Sequence, residues 1–99
     1  MLNSKQRAQL RSLGNSLETI FQIGKGGKND HLVTQIGEAL EVRELVKVRV
    51  LESSPDPVRE VAHEIARELS ADVVQVIGSR FILYRESSEN PQIKLVKTK

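Results

Sequence analysis

The chain contains no cysteine and no tryptophan among its 99 residues, and only one tyrosine and two phenylalanines. Without cysteine it can form no disulfide, no thiolate metal site and no thiol nucleophile, which is compatible with a reducing compartment. So few aromatic rings exclude a surface built mainly on base stacking. No apolar run approaches the roughly 20 residues of a membrane helix, and the N-terminus lacks the apolar segment of a signal peptide. We therefore expect a cytoplasmic protein with no membrane partner.

Charge is nearly balanced, at a net +2, but it is unevenly distributed. Residues 1–28 hold five basic and one acidic residue, and residues 80–99 hold five basic and two acidic residues. Between them, residues 29–79 hold ten acidic and five basic residues. If both ends contribute to one surface, that surface would suit a nucleic acid. The alternative, that the charges only solvate the surface, stays open.

A glycine-rich turn, Gly24-Lys25-Gly26-Gly27, follows a predicted strand and precedes a predicted helix. Glycine permits positive φ and close approach of a ligand, and a helix N-terminus favours anions, so this position predicts phosphate binding. No Ser or Thr follows Lys28, which excludes a Walker loop, and Asn29 stands where a dinucleotide fingerprint needs glycine. A short Gly-x-x-Gly clamp on a nucleic-acid backbone, as in KH-type modules, remains. A plain strand-to-helix turn is the alternative.

Hydrophobic periodicity predicts the order α-β-α-β-α-β-β in a single domain. The expected helices begin at Asn3 or Ser4, near Asp30, and at Pro57 with Asp56 as the cap, and the expected strands cover residues 17–23, 45–51, 73–77 and 80–85. Strand–helix–strand units favour parallel neighbours, whereas the last two strands form a hairpin. The predicted fold is an α/β two-layer open sandwich, with a mixed four-stranded sheet and helices on one face.

The hairpin turns at Gly78-Ser79, so that Ile77 is expected to pair with Arg80. Strict alternation then directs one set of side chains to the core, namely Val74, Val76, Phe81 and Leu83. The opposite face would carry Gln75, Arg80 and Tyr84.

No enzyme is evident in the sequence. His63-Glu64 begins a His-Glu-x-x-His motif, but Arg67 occupies the position of the second histidine, and His31 has no partner. We expect no metal, no cofactor and no small-molecule substrate. An acidic side of the third helix, formed by Glu60, Glu64 and Glu68, supports one alternative function: an adaptor that docks a basic protein.

Several short strings occur in the order of a known family. They are Gly24-Lys25-Gly26-Gly27, then Ala39-Leu40, then Glu44-Leu45-Val46-Lys47-Val48, then Gln75-Val76-Ile77-Gly78 and finally Leu83-Tyr84-Arg85. By these strings, residues 2–86 resemble the CRM domain, the chloroplast RNA splicing and ribosome maturation module, in its stand-alone bacterial YhbY-like form. The resemblance implies a sandwich similar to the C-terminal domain of bacterial translation initiation factor three. One departure is Lys28, because the family is usually apolar there.

The resemblance also implies RNA binding, with ribosomal RNA of the precursor large subunit as partner and ribosome assembly as the role. The residues carried over are Gly24, Lys25, Gly26 and Gly27 as the clamp, with Lys28, Lys47, Arg80 and Arg85 in support. Amides of Gly26 and Gly27 would bind phosphate. Tyr84 either stacks on a base or lies partly buried in the sheet. We expect a monomer in which residues 1–86 form the domain and residues 87–99 a basic, partly disordered tail.

Overall fold

The structure is a computed structural model that describes residues 2–97. Its elements are α1 (Ser4–Asn15), β1 (Thr19–Ile23), α2 (Asp30–Arg43), β2 (Leu45–Val50), α3 (Val58–Leu69), β3 (Asp72–Ile77) and β4 (Arg80–Tyr84). The strands form one sheet in the order β1-β2-β4-β3. β1 is parallel to β2, and the other two neighbouring pairs are antiparallel. The predicted element order and mixed four-stranded sheet are confirmed.

The helices begin within a residue of the predicted positions, for local reasons. At α1, the Asn3 side chain accepts the Gln6 N–H at 2.9 Å, and the Gln6 side chain accepts the Asn3 N–H at 3.2 Å. This reciprocal pair is a capping box. At α3, Pro57 occupies the N-cap position and no side chain caps the helix. The prediction that Asp56 caps α3 was therefore wrong by one residue.

The main hydrophobic core lies between one face of the sheet and the helices α2 and α3. Alternate residues of the two central strands supply its sheet side, including Val46, Val48, Phe81 and Leu83. The apolar stripes of α2 and α3 supply the other side. The predicted periodicity of both helices therefore corresponds to one shared core.

The opposite face of the sheet carries a second, smaller core under α1. Leu10 of α1 packs there against Leu45, Ile82 and Tyr84. A Cβ built on Gly14 would lie 2.6 Å from Ile82 Cδ1, so glycine allows α1 to approach β4 closely. The helices thus cover both faces rather than one. The stripe of α1 predicted that it is amphipathic but could not indicate which face it covers.

The last hairpin has the predicted turn but contains a bulge. Ile77 pairs with Arg80, as expected, but the register shifts between Val73 and Gln75. Val74 consequently packs in the second core instead of the main one. The prediction that Val74 faces the main core was wrong, because a bulge interrupts the two-residue alternation.

Residues 87–97, predicted to be a partly disordered tail, are held by hydrogen bonds to the end of α2 and then to α1. Gln9 of α1 donates to the Lys94 carbonyl and accepts the Val96 N–H, both at 2.8 Å. Ile93 and Leu95 pack against the second core. Residues 98 and 99 lie outside the described part of the chain, and the domain boundary at residue 86 stays a prediction.

Glu44 anchors this segment from the end of α2. It is the C-cap of α2 in a left-handed conformation with φ of 67°, and its side chain is fully buried. Its carboxylate accepts the N–H groups of Ser87, Gln92 and Ile93 at 2.7, 2.8 and 2.7 Å. Burial alone would raise the pKa of Glu44, but these three bonds bring it below the ordinary value. The ionised form therefore matches this site.

Candidate nucleic-acid interface

The glycine motif forms a closed turn at the end of β1. The Gly27 N–H donates to the Gly24 carbonyl at 2.8 Å. Gly27 has φ of +67°, and a Cβ there would lie 3.2 Å from Pro55 Cγ. A side chain at position 27 would be strained, so this glycine maintains the turn. Because its amide is already engaged, the predicted phosphate contact of Gly27 N–H is incompatible with the closed turn.

The tip of the turn is open. Lys25 and Gly26 are exposed, and a Cβ on Gly26 would meet nothing within 4 Å. Within residues 2–97, neither of their amides donates a backbone hydrogen bond. Two free N–H groups beside one lysine form a small positive site suited to a phosphate oxygen.

The N-terminus of α2 contributes less to anion binding than its position suggested. Asn29 precedes the helix, and its side-chain oxygen accepts the Leu32 N–H at 2.8 Å. Asp30 adds a negative charge in the first turn. This helix end therefore already has an acceptor and a counter-charge of its own.

Lys28 is turned toward α3 rather than toward the tip. Its ammonium group forms an ion pair with Glu68. The hydrogen bond with Glu68 raises the pKa of Lys28, and the charge of Glu64 acts in the same direction. A phosphate contact by Lys28 would have to displace this pair, so in the free protein Lys28 fixes the exit of the turn.

Lys47 and Arg80 lie on the sheet face that carries α1. Arg80, opposite Arg49, lies at the end of the sheet nearest the turn, whereas Lys47 is opposite Thr19 at the start of β1 and lies further from the turn. With Asn15, the last residue of α1, they line a cleft of about 50 Å³. The Val50 N–H donates to the Ser79 carbonyl at 2.7 Å, which places the hairpin turn beside the end of β2. The structure thus brings Arg80, but not Lys47, to the same end of the sheet as the glycine turn.

Arg49 belongs to the same surface but was absent from the predicted site. It is exposed and pairs directly with Arg80 across the sheet. The available signal was its alternation with Lys47 along β2, which places both side chains on one face.

The structure does not bring Arg85 to this surface. Its guanidinium donates to the Leu69 carbonyl at 2.9 Å and the Gly37 carbonyl at 3.0 Å, and it pairs with Glu41 at 3.6 Å. It follows Arg80 by five residues, about 17 Å along an extended strand. Arg85 therefore joins the middle of α2 to the end of α3 and lies away from the candidate interface.

Tyr84 is also removed from the interface. It is buried in the second core. Burial, with smaller contributions from Glu44 and other nearby acidic groups, raises the pKa of the Tyr84 phenol above its ordinary value. A ring packed in this way is not available to stack on a base.

Neither a metal centre nor a membrane segment is found in the described range. Residues 2–97 contain no group of three or more potential ligands placed to hold a metal ion. No helix in that range combines the length and apolar character needed to cross a bilayer.

Comparison with known proteins identifies the family. Residues 2–85 match the model of the CRS1/YhbY (CRM) domain. The chain belongs to this family. Probable RNA-binding protein YqeI of Bacillus subtilis is 47% identical over 95 residues, covering 96% of this chain and 99% of the relative. An RNA-binding protein of Haemophilus influenzae is 33% identical over 88 residues, covering 89% of each.

A solved structure extends the similarity to three dimensions. The solution structure of the hypothetical protein SAV1595 from Staphylococcus aureus has a TM-score of 0.81 and 47% identity, and the match covers 97% of this chain and 100% of that one. This CRM domain chain therefore shares both sequence and fold with stand-alone relatives of the same length.

Proposed function

We propose that the protein binds RNA through the glycine turn and assists assembly of the large ribosomal subunit in the cytoplasm, acting as a monomer on precursor ribosomal RNA. Relatives matching nearly the whole chain are named RNA-binding proteins. The observation that carries the proposal is the open tip of the turn. There, two unengaged amides and Lys25 lie at the same end of the sheet as Arg80.

The proposed contact uses main-chain atoms and charge. The Lys25 and Gly26 amides donate to oxygens of one phosphate, while the Lys25 ammonium neutralises it. Gly24 and Gly27 shape the turn without contacting the ligand. Lys47 and Arg80 add charge from the sheet. Such contacts read the backbone rather than the bases, so affinity falls steeply with salt and carries little sequence information.

The structure provides a matched pair of variants at Gly26. Because a Cβ there meets nothing within 4 Å, Gly26→Ala and Gly26→Asp should both fold as the native chain does. Only the aspartate places a negative charge beside the phosphate. We expect RNA binding to be retained in Gly26→Ala and reduced at least tenfold in Gly26→Asp, the scale of one lost charge-assisted contact plus repulsion.

The test is ultraviolet crosslinking of the tagged protein in cells, followed by sequencing of the attached RNA. Discrete sites in large-subunit ribosomal RNA, retained in Gly26→Ala and lost in Gly26→Asp, would support the proposal. Equal crosslinking by both variants would show that the glycine motif is only a structural turn. Sites outside ribosomal RNA would leave the clamp intact but refute the assembly role.

A further inference from the structure

Arg49 and Arg80 form a like-charge pair on the open part of the sheet. They are directly opposed on neighbouring antiparallel strands, β2 and β4. Opposed residues have Cβ atoms about 5 Å apart, and like charges in such positions destabilise a sheet. Within residues 2–97, neither arginine forms an ion pair with a carboxylate. The stability of the sheet therefore does not explain why two arginines occupy these opposed positions.

The pair belongs to one exposed row that crosses all four strands. Gln22 of β1 is opposite Arg49, Arg49 is opposite Arg80, and Arg80 is opposite Ile77 of β3. All four side chains are exposed, and Ile77 keeps 54% of its surface in solvent. Neighbouring strands are about 4.8 Å apart, so the row spans about 14 Å. No member is acidic.

The row begins beside the glycine turn. Gln22 precedes Gly24 by two residues, so the turn continues directly from the β1 end of the row. The covering helix α1 ends at Asn15, which lines one cleft with Lys47 and Ile82 and also with Arg80 and Ile77 of the row. An extended RNA segment held at the turn would therefore cross β2 and β4 past the C-terminal end of α1.

We infer that Arg49 and Arg80 form a second phosphate site, which takes the backbone of a single-stranded RNA segment as it leaves the glycine turn. This inference rests on the proposed function. Guanidinium groups bind phosphate oxygens in a two-point geometry, so two of them can contact both free oxygens of one singly charged backbone phosphate. Ile77 offers an apolar contact for a sugar at the end of the row. With no aromatic side chain in the row, the site binds the backbone without selecting a base.

The test compares two double variants that change net charge equally. Arg49→Gln/Arg80→Gln removes the proposed site, whereas Arg59→Gln/Arg67→Gln removes two exposed arginines of α3. Affinity for a labelled, unstructured 12-nucleotide RNA is measured by fluorescence anisotropy over a range of salt concentrations. Losing the contact to one phosphate should flatten the slope of log affinity against log salt by about 0.7. Only the first double variant should do this.

Two further measurements separate a binding role from a structural one. Relief of the opposed charges should leave the urea-unfolding stability of Arg49→Gln/Arg80→Gln at least equal to that of the native chain in low salt. If both arginines hold the same phosphate, each single variant should lose nearly as much affinity as the double variant.

The outcomes distinguish this inference from the proposed function. If the native chain binds and Gly26→Asp does not, but the two double variants behave alike, the second site is refuted and the clamp stands. If the native chain binds no RNA, both fail. A flatter slope confined to Arg49→Gln/Arg80→Gln, with stability retained, supports the second site.

Discussion

Individual residues of this chain have roles that their chemistry alone does not indicate. Arg80 and Arg85 occur in one strand region and carry the same charge, yet Arg80 is exposed at the candidate interface while Arg85 binds one carbonyl within α2 and one at the end of α3. Lys25 and Lys28 flank the same glycines, but Lys28 is paired with Glu68. A residue type identifies what a side chain can bind. Its partners in the fold determine what it does bind.

Tyr84 allows a direct measurement at this scale, because it is the only tyrosine and the chain has no tryptophan. Its phenol is buried, with Glu44 and other acids nearby, so the native protein should ionise it above the ordinary pKa of 10.0. Ultraviolet absorbance of the phenolate during an alkaline titration measures this. In denaturant, the transition should return to the ordinary value.

The fluorescence of Tyr84 also tests the prediction that its ring does not stack on an RNA base. Adding saturating RNA should leave tyrosine fluorescence nearly unchanged, since a buried ring cannot contact a base. Strong quenching of Tyr84 in the native chain, but not in Gly26→Asp, would contradict its exclusion from the interface.

At the scale of elements, local pattern predicted most of the fold and long-range contact supplied the rest. The stripe of α3 and the Gly78-Ser79 turn are short-range signals, and both gave correct elements. Three features depend instead on contacts between residues far apart in sequence. They are the sheet face on which α1 packs, the bulge at Val74 and the docking of residues 87–97. The partners of Glu44 lie 43 to 49 residues away, so no local pattern could identify it as an anchor.

Docking of the C-terminal segment gives a prediction about stability. Glu44→Gln should lower the free energy of unfolding by about 2–3 kcal/mol at neutral pH, since bonds to a charged group are lost and buried N–H groups lose an acceptor. In a chain ending at residue 86 those donors are absent, so the same substitution should have almost no effect. Urea unfolding of the native chain and Glu44→Gln, each at full length and ending at residue 86, measures the coupling between Glu44 and the C-terminal segment. Equal effects in both lengths would show that Glu44 does not hold the segment.

The pH dependence of Glu44 follows from the same bonds. Its pKa is lower in the folded protein than its ordinary value of 4.5. The stabilisation is therefore complete above the ordinary pKa and is lost as pH falls through the lower, folded value. Glu41, whose pKa is lowered by bonds from Ser88 and Ser87, acts in the same direction. Unfolding measured below pH 5 should show a steeper loss of stability in the native chain than in Glu44→Gln.

For the whole molecule, the sequence predicted one basic surface and one acidic surface, and the structure places the two close together. The turn and the cross-strand row are basic, but Lys28 at the turn exit is near Glu64 and Glu68 of α3. The position of the glycine turn after β1 and the outward face of β2 were therefore predictable, because their signals are local. The neutralisation of Lys28 and the pairing of Arg49 with Arg80 arise from tertiary contact and could not be read from charge blocks.

The acidic side of α3 distinguishes the proposed function from the adaptor alternative by the sign of one effect. Glu60→Gln/Glu64→Gln leaves the Lys28–Glu68 pair intact and removes two negative charges from the helix beside the turn. If the turn binds RNA, this double variant should bind it about twofold more tightly at physiological salt, because repulsion between the two carboxylates and the RNA phosphates is removed. The gain should be larger at lower salt, where charges are screened less than at the physiological Debye length of about 8 Å. If the acidic side docks a basic protein, the variant should instead lose that partner and leave RNA binding unchanged. Anisotropy with RNA, together with quantitative co-purification from cells, measures both. Weaker RNA binding in this variant would contradict the proposed electrostatics of the whole surface.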